Sequence, residues 1–139
     1  SADILSGEDG NDTIFGGNQF GALDNGGDII DGGDGDDQLF GEAGNDTITG
    51  GTGQDNMQGQ DGNDTMTGGG GSDSMNGGIG NDILTAQAGN DSLVGDAGRD
   101  TLIGGRGNDN LNGGDGVDNC DGGDGTDQAA FCENTLNVP

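Results

Sequence analysis

The chain of 139 residues carries 27 acidic and two basic side chains, has no His, and has a net charge of −25. Its Leu, Ile, Val and Phe residues number only 23, fewer than the roughly 20% of a chain that an ordinary folded core requires. The acidity excludes nucleic acid and anionic membrane surfaces as partners, because both bind through Lys and Arg. No apolar run approaches the roughly 18 residues of a membrane span, and the absence of His, Lys and Tyr argues against an enzyme.

A period of nine residues organises the chain from its beginning. Residues 1–6 keep the end of one unit, Asp3-Ile4-Leu5-Ser6, and residues 7–15 read GEDGNDTIF. Residues 16–31 form one stretched unit, in which Asn18–Asp24 is an insertion of seven residues. Eleven further units follow without a break from residue 32 to residue 130. All thirteen units of 7–130 have Gly at position four and Asp at position six.

The shared pattern is G-G-x-G-x-D-x-U-x, in which U is a large apolar residue. It resembles the RTX, or hemolysin-type calcium-binding, nonapeptide repeat, and the resemblance covers residues 7–130. The resemblance implies an all-β fold, a right-handed parallel β-roll with Ca²⁺ bound between its turns. We expect the β-roll domain to span 1–130, with the insertion at 18–24, and a C-terminal cap tail to span 131–139.

Each position of the repeat has a physical role. The glycine-rich hexad favours a tight turn, because Gly tolerates positive φ and close backbone approach. The segment D-x-U-x is a short strand whose alternation turns U to one face. Two units make one coil of 18 residues, and fourteen strands predict about seven coils. The U residues form the predicted core: Leu5, Ile14, Ile30, Leu39, Ile48, Met57, Met66, Met75, Leu84, Leu93, Leu102, Leu111, Cys120 and Ala129.

The Asp residues at position six are the candidate metal ligands. Because the turns of alternate units lie on one edge, we expect two columns of carboxylates. The first is Asp3, Asp28, Asp46, Asp64, Asp82, Asp100 and Asp118, and the second is Asp12, Asp37, Asp55, Asp73, Asp91, Asp109 and Asp127. Stacked carboxylates repel one another unless a cation lies between them, and oxygen-only ligands favour Ca²⁺. Neighbouring turns predict roughly 10–12 calcium ions, which would nearly neutralise the chain.

A simpler interpretation is that these Asp residues only form turns, as Asp and Gly commonly do. However, Asn is frequent at position five and never replaces Asp at position six, which favours metal binding. The Asp residues at position three are expected to be solvated surface groups. They are Asp9, Asp34, Asp61, Asp115 and Asp124.

Departures from the pattern mark places where the coils could differ. Ala86 replaces the first Gly of its unit, and the second Gly is replaced by Glu8, Glu42, Gln60, Gln87 and Asp96, so we expect distorted turns there. The insertion interrupts the first column and could remove sites from it. Phe15 and Phe40 are expected on the same outward face of successive coils, where Phe20 and Leu23 of the insertion cover them or where a partner binds.

Cys120 and Cys132 bracket the end of the repeats, and a disulfide between them would hold the tail over the last coil. We expect it to contribute roughly 2–3 kcal/mol through loop closure. A disulfide implies an oxidising environment, and extracellular calcium is abundant enough to fill weak sites. The chain is therefore expected to be secreted.

The sequence leaves the biological role open between three hypotheses. The first is a non-enzymatic structural module of an extracellular layer, matrix or filament, with self-association through the N-terminal coil end. The second is a surface-recognition module, of ice-binding or adhesin type, that uses the Thr array Thr47, Thr49, Thr65, Thr67, Thr85 and Thr101. The third is a segment that drives calcium-dependent folding and secretion of a larger RTX protein.

Overall fold

The computed structural model describes residues 3–8, 10–17 and 26–138, and within these ranges all regular structure is β-strand. The strands are β1 (Ile4–Ser6), β2 (Thr13–Phe15), β3 (Ile29–Asp34), β4 (Gln38–Ala43), β5 (Thr47–Thr52), β6 (Asn56–Asp61), β7 (Thr65–Gly70), β8 (Ser74–Gly80), β9 (Ile83–Ala88), β10 (Ser92–Gly98), β11 (Thr101–Arg106), β12 (Asn110–Gly116), β13 (Asn119–Asp124), β14 (Gln128–Ala130) and β15 (Asn134–Leu136).

The strands form two parallel sheets, and successive strands along the chain belong alternately to one sheet and to the other. Sheet 1 contains the eight odd-numbered strands and sheet 2 the seven even-numbered strands, each in chain order. Within the run from β3 to β14, neighbouring strands of the same sheet pair at a constant spacing of two repeat units, as Ile29 pairs with Thr47. Two strands make one coil, so these twelve strands make six regular coils. The expected parallel β-roll is confirmed, and its regular coils number six rather than about seven.

The core is a single file of apolar side chains between the two sheets. In each regular strand the second residue, position eight of the repeat, is buried, and its neighbours at positions seven and nine face outward. All fourteen predicted core residues lie in this file, with Leu5, Ile14 and Ala129 partly buried at its ends. One apolar residue in nine is enough because coils above and below cover each side chain, which explains the sparse apolar composition.

The strands are longer than the sequence predicted. β5 continues from the apolar positions through Gly50, Gly51 and Thr52, so that the turn shrinks to residues 53–55. Gly50, the first Gly of its unit, is buried within β5. Backbone pairing therefore extends into what the sequence marks as turn, because glycine permits the coils to approach there.

The fourth-position glycines are fixed by the closeness of successive coils. A Cβ at Gly53 would collide with the carbonyl oxygen of Gly35 one coil earlier, and a Cβ at Gly71 with that of Gly53. Because the obstacle is backbone, no rotamer change can relieve it. This contact accounts for the presence of Gly at position four in every unit from Gly35 onward.

The second position needs positive φ but tolerates a side chain. Its glycines include Gly51 at φ 114°, and the residues that replace Gly have φ between 71° and 83°. These are Glu8, Glu42, Gln60, Gln87 and Asp96. The distortion expected at these turns is limited to the positive φ of these residues. Strand pairing is not interrupted, because it continues through Glu42 and Gln60 and through Gln87.

The coil at the N-terminus keeps the register of the roll despite the insertion. β1 pairs with β3, as Ile4 with Ile29, and β2 pairs with β4, as Thr13 with Gln38. This coil is therefore longer than the regular coils by the length of the insertion. Phe15 and Phe40 stack on the outer face of sheet 2 with ring centroids 4.7 Å apart. The insertion with Phe20 and Leu23, together with Asp9, lies outside the described residues, so its predicted cover over the two rings stays a prediction.

The tail adds a strand to the roll. Cys120 and Cys132 form the predicted disulfide, with Cα atoms 6.0 Å apart. Directly after it, β15 pairs in parallel with β13 at the edge of sheet 1. Among the described residues, there is no helix long and apolar enough to cross a membrane.

Candidate metal centre

The predicted columns of Asp residues exist along both edges of the roll. Twelve of the fourteen residues are at most 4% exposed: Asp28, Asp37, Asp46, Asp55, Asp64, Asp73, Asp82, Asp91, Asp100, Asp109, Asp118 and Asp127. Asp3 and Asp12 lie in the first coil and are more accessible. The insertion does not break the first column, because Asp3 still meets Asp28. In contrast, Asp34, Asp61, Asp115 and Asp124 are exposed, as expected.

From Asp28 and Asp37 onward, one carboxylate oxygen of each column residue accepts a backbone hydrogen bond. The N–H of the preceding column Asp donates to its Oδ1, as Asp55 donates to Asp73 at 3.0 Å and Asp64 to Asp82 at 2.8 Å. The same bond recurs from Asp12 to Asp127 in one column and from Asp3 to Asp118 in the other. The hydrogen bonds therefore tie successive coils together along each edge.

In most of the column residues the second oxygen, Oδ2, is buried and accepts no such bond. Among the described residues, those whose buried Oδ2 has no hydrogen-bond partner are Asp12, Asp37, Asp55, Asp64, Asp73, Asp82, Asp91, Asp100, Asp109, Asp118 and Asp127. A buried carboxylate oxygen without a partner is costly. Its repetition in turn after turn indicates that something else satisfies these oxygens.

Each of these oxygens except that of Asp91 borders a gap left by a first-position glycine. A Cβ added at Gly50 would lie closer than 3.0 Å to Asp55 Oδ2 and to the carbonyl oxygen of Gly68 in the next coil. Gly32, with Asp37 Oδ2 and the Gly50 carbonyl, repeats the arrangement. A carboxylate oxygen of one coil and a carbonyl oxygen of the next coil therefore border the same gap. Ala86 stands where the other units have their first glycine and is fully buried. Its methyl group therefore occupies the position that those glycines leave empty.

Burial and mutual repulsion disfavour ionisation of seven residues in the middle of the columns. Desolvation raises the pKa of Asp73 and Asp82 to about 6, although the backbone hydrogen bond from the preceding Asp opposes the shift and neighbouring column carboxylates add to it. Desolvation likewise raises the pKa of Asp55, Asp64, Asp91, Asp100 and Asp109. A positive charge in the gaps would reverse this effect.

The gaps hold few side-chain ligands each. Nowhere in the described ranges do three His, Cys, Asp or Glu side chains converge on one point. A cation in a gap would therefore take part of its coordination from backbone carbonyls.

The sequence of these turns matches a known repeat. A sequence model of the RTX calcium-binding nonapeptide repeat, four copies long, matches residues 1–20, 24–57, 49–84, 58–93 and 94–129. The chain belongs to the RTX calcium-binding repeat family. No curated protein matches the chain by sequence.

The oxygen set of these RTX turns fits the calcium that repeats of this family bind. Ca²⁺ accepts six to eight oxygen ligands, carboxylates and backbone carbonyls among them, in flexible geometry. The turns supply both kinds of oxygen around a gap that a Cβ would fill. The absence of His in the chain and the lack of sulfur in the gaps disfavour zinc and copper.

Two features of the RTX edges were missed from the sequence. The side chains at position five form a second ladder in the opposite direction, in which Asn45 Oδ1 accepts from Asn63 N–H at 2.9 Å and Asn63 Oδ1 from Asn81 N–H at 2.7 Å. Beyond the repeats, Glu133 Oε2 accepts from Asp118 N–H at 2.8 Å, and so continues the first column. The signal in the sequence was weak: Glu133 begins its segment as Asp begins D-x-U-x, but Thr135, which pairs with Cys120, stands where the large apolar residue would be.

Proposed function

We propose that the chain is a non-enzymatic structural module that folds when calcium fills its turns, with the column Asp residues as ligands. One observation carries this proposal: the buried Oδ2 atoms without partners recur beside a glycine gap in turn after turn. The thin core leaves metal binding to supply much of the folding free energy. Roughly 10–12 calcium ions would offset most of the net charge of −25.

A circular dichroism titration tests this function. CaCl₂ should produce a cooperative gain of strand signal, and MgCl₂ at equal concentration should not, because Mg²⁺ demands rigid octahedral geometry and keeps its water. A strand-rich spectrum in excess EGTA at neutral pH would contradict the proposal.

The setting that suits this module is extracellular. The disulfide between Cys120 and Cys132 favours an oxidising compartment, and millimolar calcium outside cells would saturate weak sites. There the roll would serve as a rigid rod in a layer, matrix or filament. A role as the calcium-folded part of a larger secreted RTX protein follows from the same chemistry.

Self-association through the N-terminal coil would turn such a rod into a filament. Among the described residues, β1 and β2 are the first strands of their sheets, Ile4 of β1 is 81% exposed, and the stacked pair Phe15–Phe40 lies at the same end of the roll on the outer face of sheet 2. Light scattering in millimolar calcium should show assembly of the wild type and its loss in the double variant Phe15→Asp, Phe40→Asp. A wild type that stays monomeric at high concentration would exclude this assembly.

A second candidate function is recognition of a regular surface such as ice. Thr47 pairs with Thr65, and Thr49 with Thr67, so that their side chains form two files on the outer face of sheet 1. Thr85 extends one file, while Ile83 and Ile103 interrupt the array. Thr is also a good strand residue on physical grounds alone. Thermal hysteresis of the calcium-loaded chain would support this candidate, and its absence would exclude ice as the ligand.

A further inference from the structure

The residues after the last repeat form a shortened coil. Asn119 of β13 pairs with Asn134 of β15, whereas on its other side it pairs with Thr101 of β11, which lies further away along the chain. Phe131 and Asn137, which flank β15, both have positive φ, 54° and 49°. The tail therefore turns at both ends of β15, and it brings backbone to both edges of the roll.

At the first edge the tail completes the same arrangement that the repeats make. A Cβ at Gly113 would lie closer than 3.0 Å to Asp118 Oδ2 and to the carbonyl oxygen of Phe131. In the repeats a glycine carbonyl takes the place of the Phe131 carbonyl. Asp118 is fully buried and its Oδ2 has no hydrogen-bond partner among the described residues. Glu133 lies where the next column Asp would lie, because it accepts the Asp118 N–H.

At the second edge Asn137 has the corresponding role. A Cβ at Gly122 would lie 2.6 Å from Asp127 Oδ2 and 2.7 Å from the carbonyl oxygen of Asn137. Asp127 is 4% exposed, and its Oδ2 also has no hydrogen-bond partner within the described ranges. The last Asp of each column thus faces a carbonyl from outside the repeats.

We propose that the tail builds one additional calcium site on each edge: Asp118, the Phe131 carbonyl and Glu133 on the first, Asp127 and the Asn137 carbonyl on the second. The proposal rests on the calcium function proposed above, but it uses residues beyond position 129, where the match to the repeat family ends. Calcium bound there joins the tail to the last regular coil. The tail is then a calcium-dependent cap, which the disulfide holds in place covalently.

Two variants separate the two sites. Glu133→Gln removes the charge at the first edge, and a chain that ends at Leu136 removes the Asn137 carbonyl but keeps β15 and the disulfide. Their matched controls are Glu8→Gln, a like change at an exposed glutamate of the first coil, and a chain that ends at Val138. Bound calcium per chain is measured by equilibrium dialysis with atomic emission at a calcium concentration that just saturates the wild type. Circular dichroism in the same buffer checks the fold.

Each test variant should bind one calcium fewer than the wild type, and each control should bind the wild-type number. Equal numbers in all five proteins would overturn the tail sites while leaving calcium binding by the repeats intact. A wild type that binds no calcium would instead refute the proposed function itself. Should one variant fail to fold, the other still decides, because the two sites lie on opposite edges.

Discussion

At the scale of single residues, the two oxygens of each column carboxylate have different surroundings. Oδ1 of Asp73 accepts the Asp55 N–H, and Oδ2 faces the gap at Gly68 near the Ala86 carbonyl. An Asn in this place would satisfy both neighbours without a metal, because its amide NH₂ could donate to the carbonyl. The chain nevertheless has Asp at position six of all thirteen units. Hydrogen bonding alone would favour Asn at this position, so the presence of Asp supports a cation in the gap.

The substitution Asp73→Asn therefore has opposite effects with and without calcium. We expect calcium affinity at that edge to fall by about tenfold or more, because a charged ligand is lost. The metal-free roll should become more stable, since a buried charge is replaced by a group that can donate. Isothermal calorimetry measures the first effect, and the strand signal of the calcium-free chain between pH 5 and pH 7, followed by circular dichroism, measures the second.

Asp61→Asn is the control for this change. Asp61 is exposed and lies outside the columns, so neither quantity should change. If the two variants behaved alike, the column carboxylates would not be the ligands.

At the scale of strands and turns, positions in the repeat differ in what they tolerate. Gly53, at position four, has φ 132° and a Cβ there would collide with the Gly35 carbonyl, whereas Gly70, at position three, has open space around it. Gly53→Ala should lower the free energy of unfolding by about 2 kcal/mol or more. Gly70→Ala should change it by less than about 0.5 kcal/mol. Urea unfolding in saturating calcium compares them, and equal losses would mean that the coils approach one another less closely than described.

The same scale shows where the sequence is informative and where it is not. Period nine predicted both sheets, the core file from Leu5 to Ala129 and both Asp columns, because each depends on a residue type that recurs in register. The length of the strands was hidden, because Gly51 looks like a turn residue and pairs with Gly33 and Gly69 only because the coils pack closely. β15 and Glu133 were hidden because the tail closes its coil with a shorter segment than two repeat units and so breaks the period.

At the scale of the whole molecule, burial makes several Asp side chains of the columns harder to ionise. Burial raises the pKa of Asp73 and Asp82 from 3.8 to about 6. Protonation of such groups stabilises the metal-free roll below pH 4, and this contribution is lost as the pH rises through about 6. Calcium has the opposite dependence, because its ligands must be ionised. Protons and calcium thus compete for the same carboxylates, and either one can relieve the repulsion within the columns.

A chain stripped of calcium on a chelating resin should therefore gain strand signal on acidification. We expect little structure at pH 7 and substantial strand content at pH 5, which is below the pKa of about 6 of Asp73 and Asp82 and still above the isoelectric point of about 4.1. Circular dichroism across this range measures the transition. High NaCl at pH 7 is the control, since salt screens exposed charges but does little for buried ones. If salt alone restored the fold at pH 7, exposed charge would be what unfolds the chain. If pH 5 restored nothing, proton uptake by the columns could not replace calcium, and the gaps would need the metal for coordination as well as for charge.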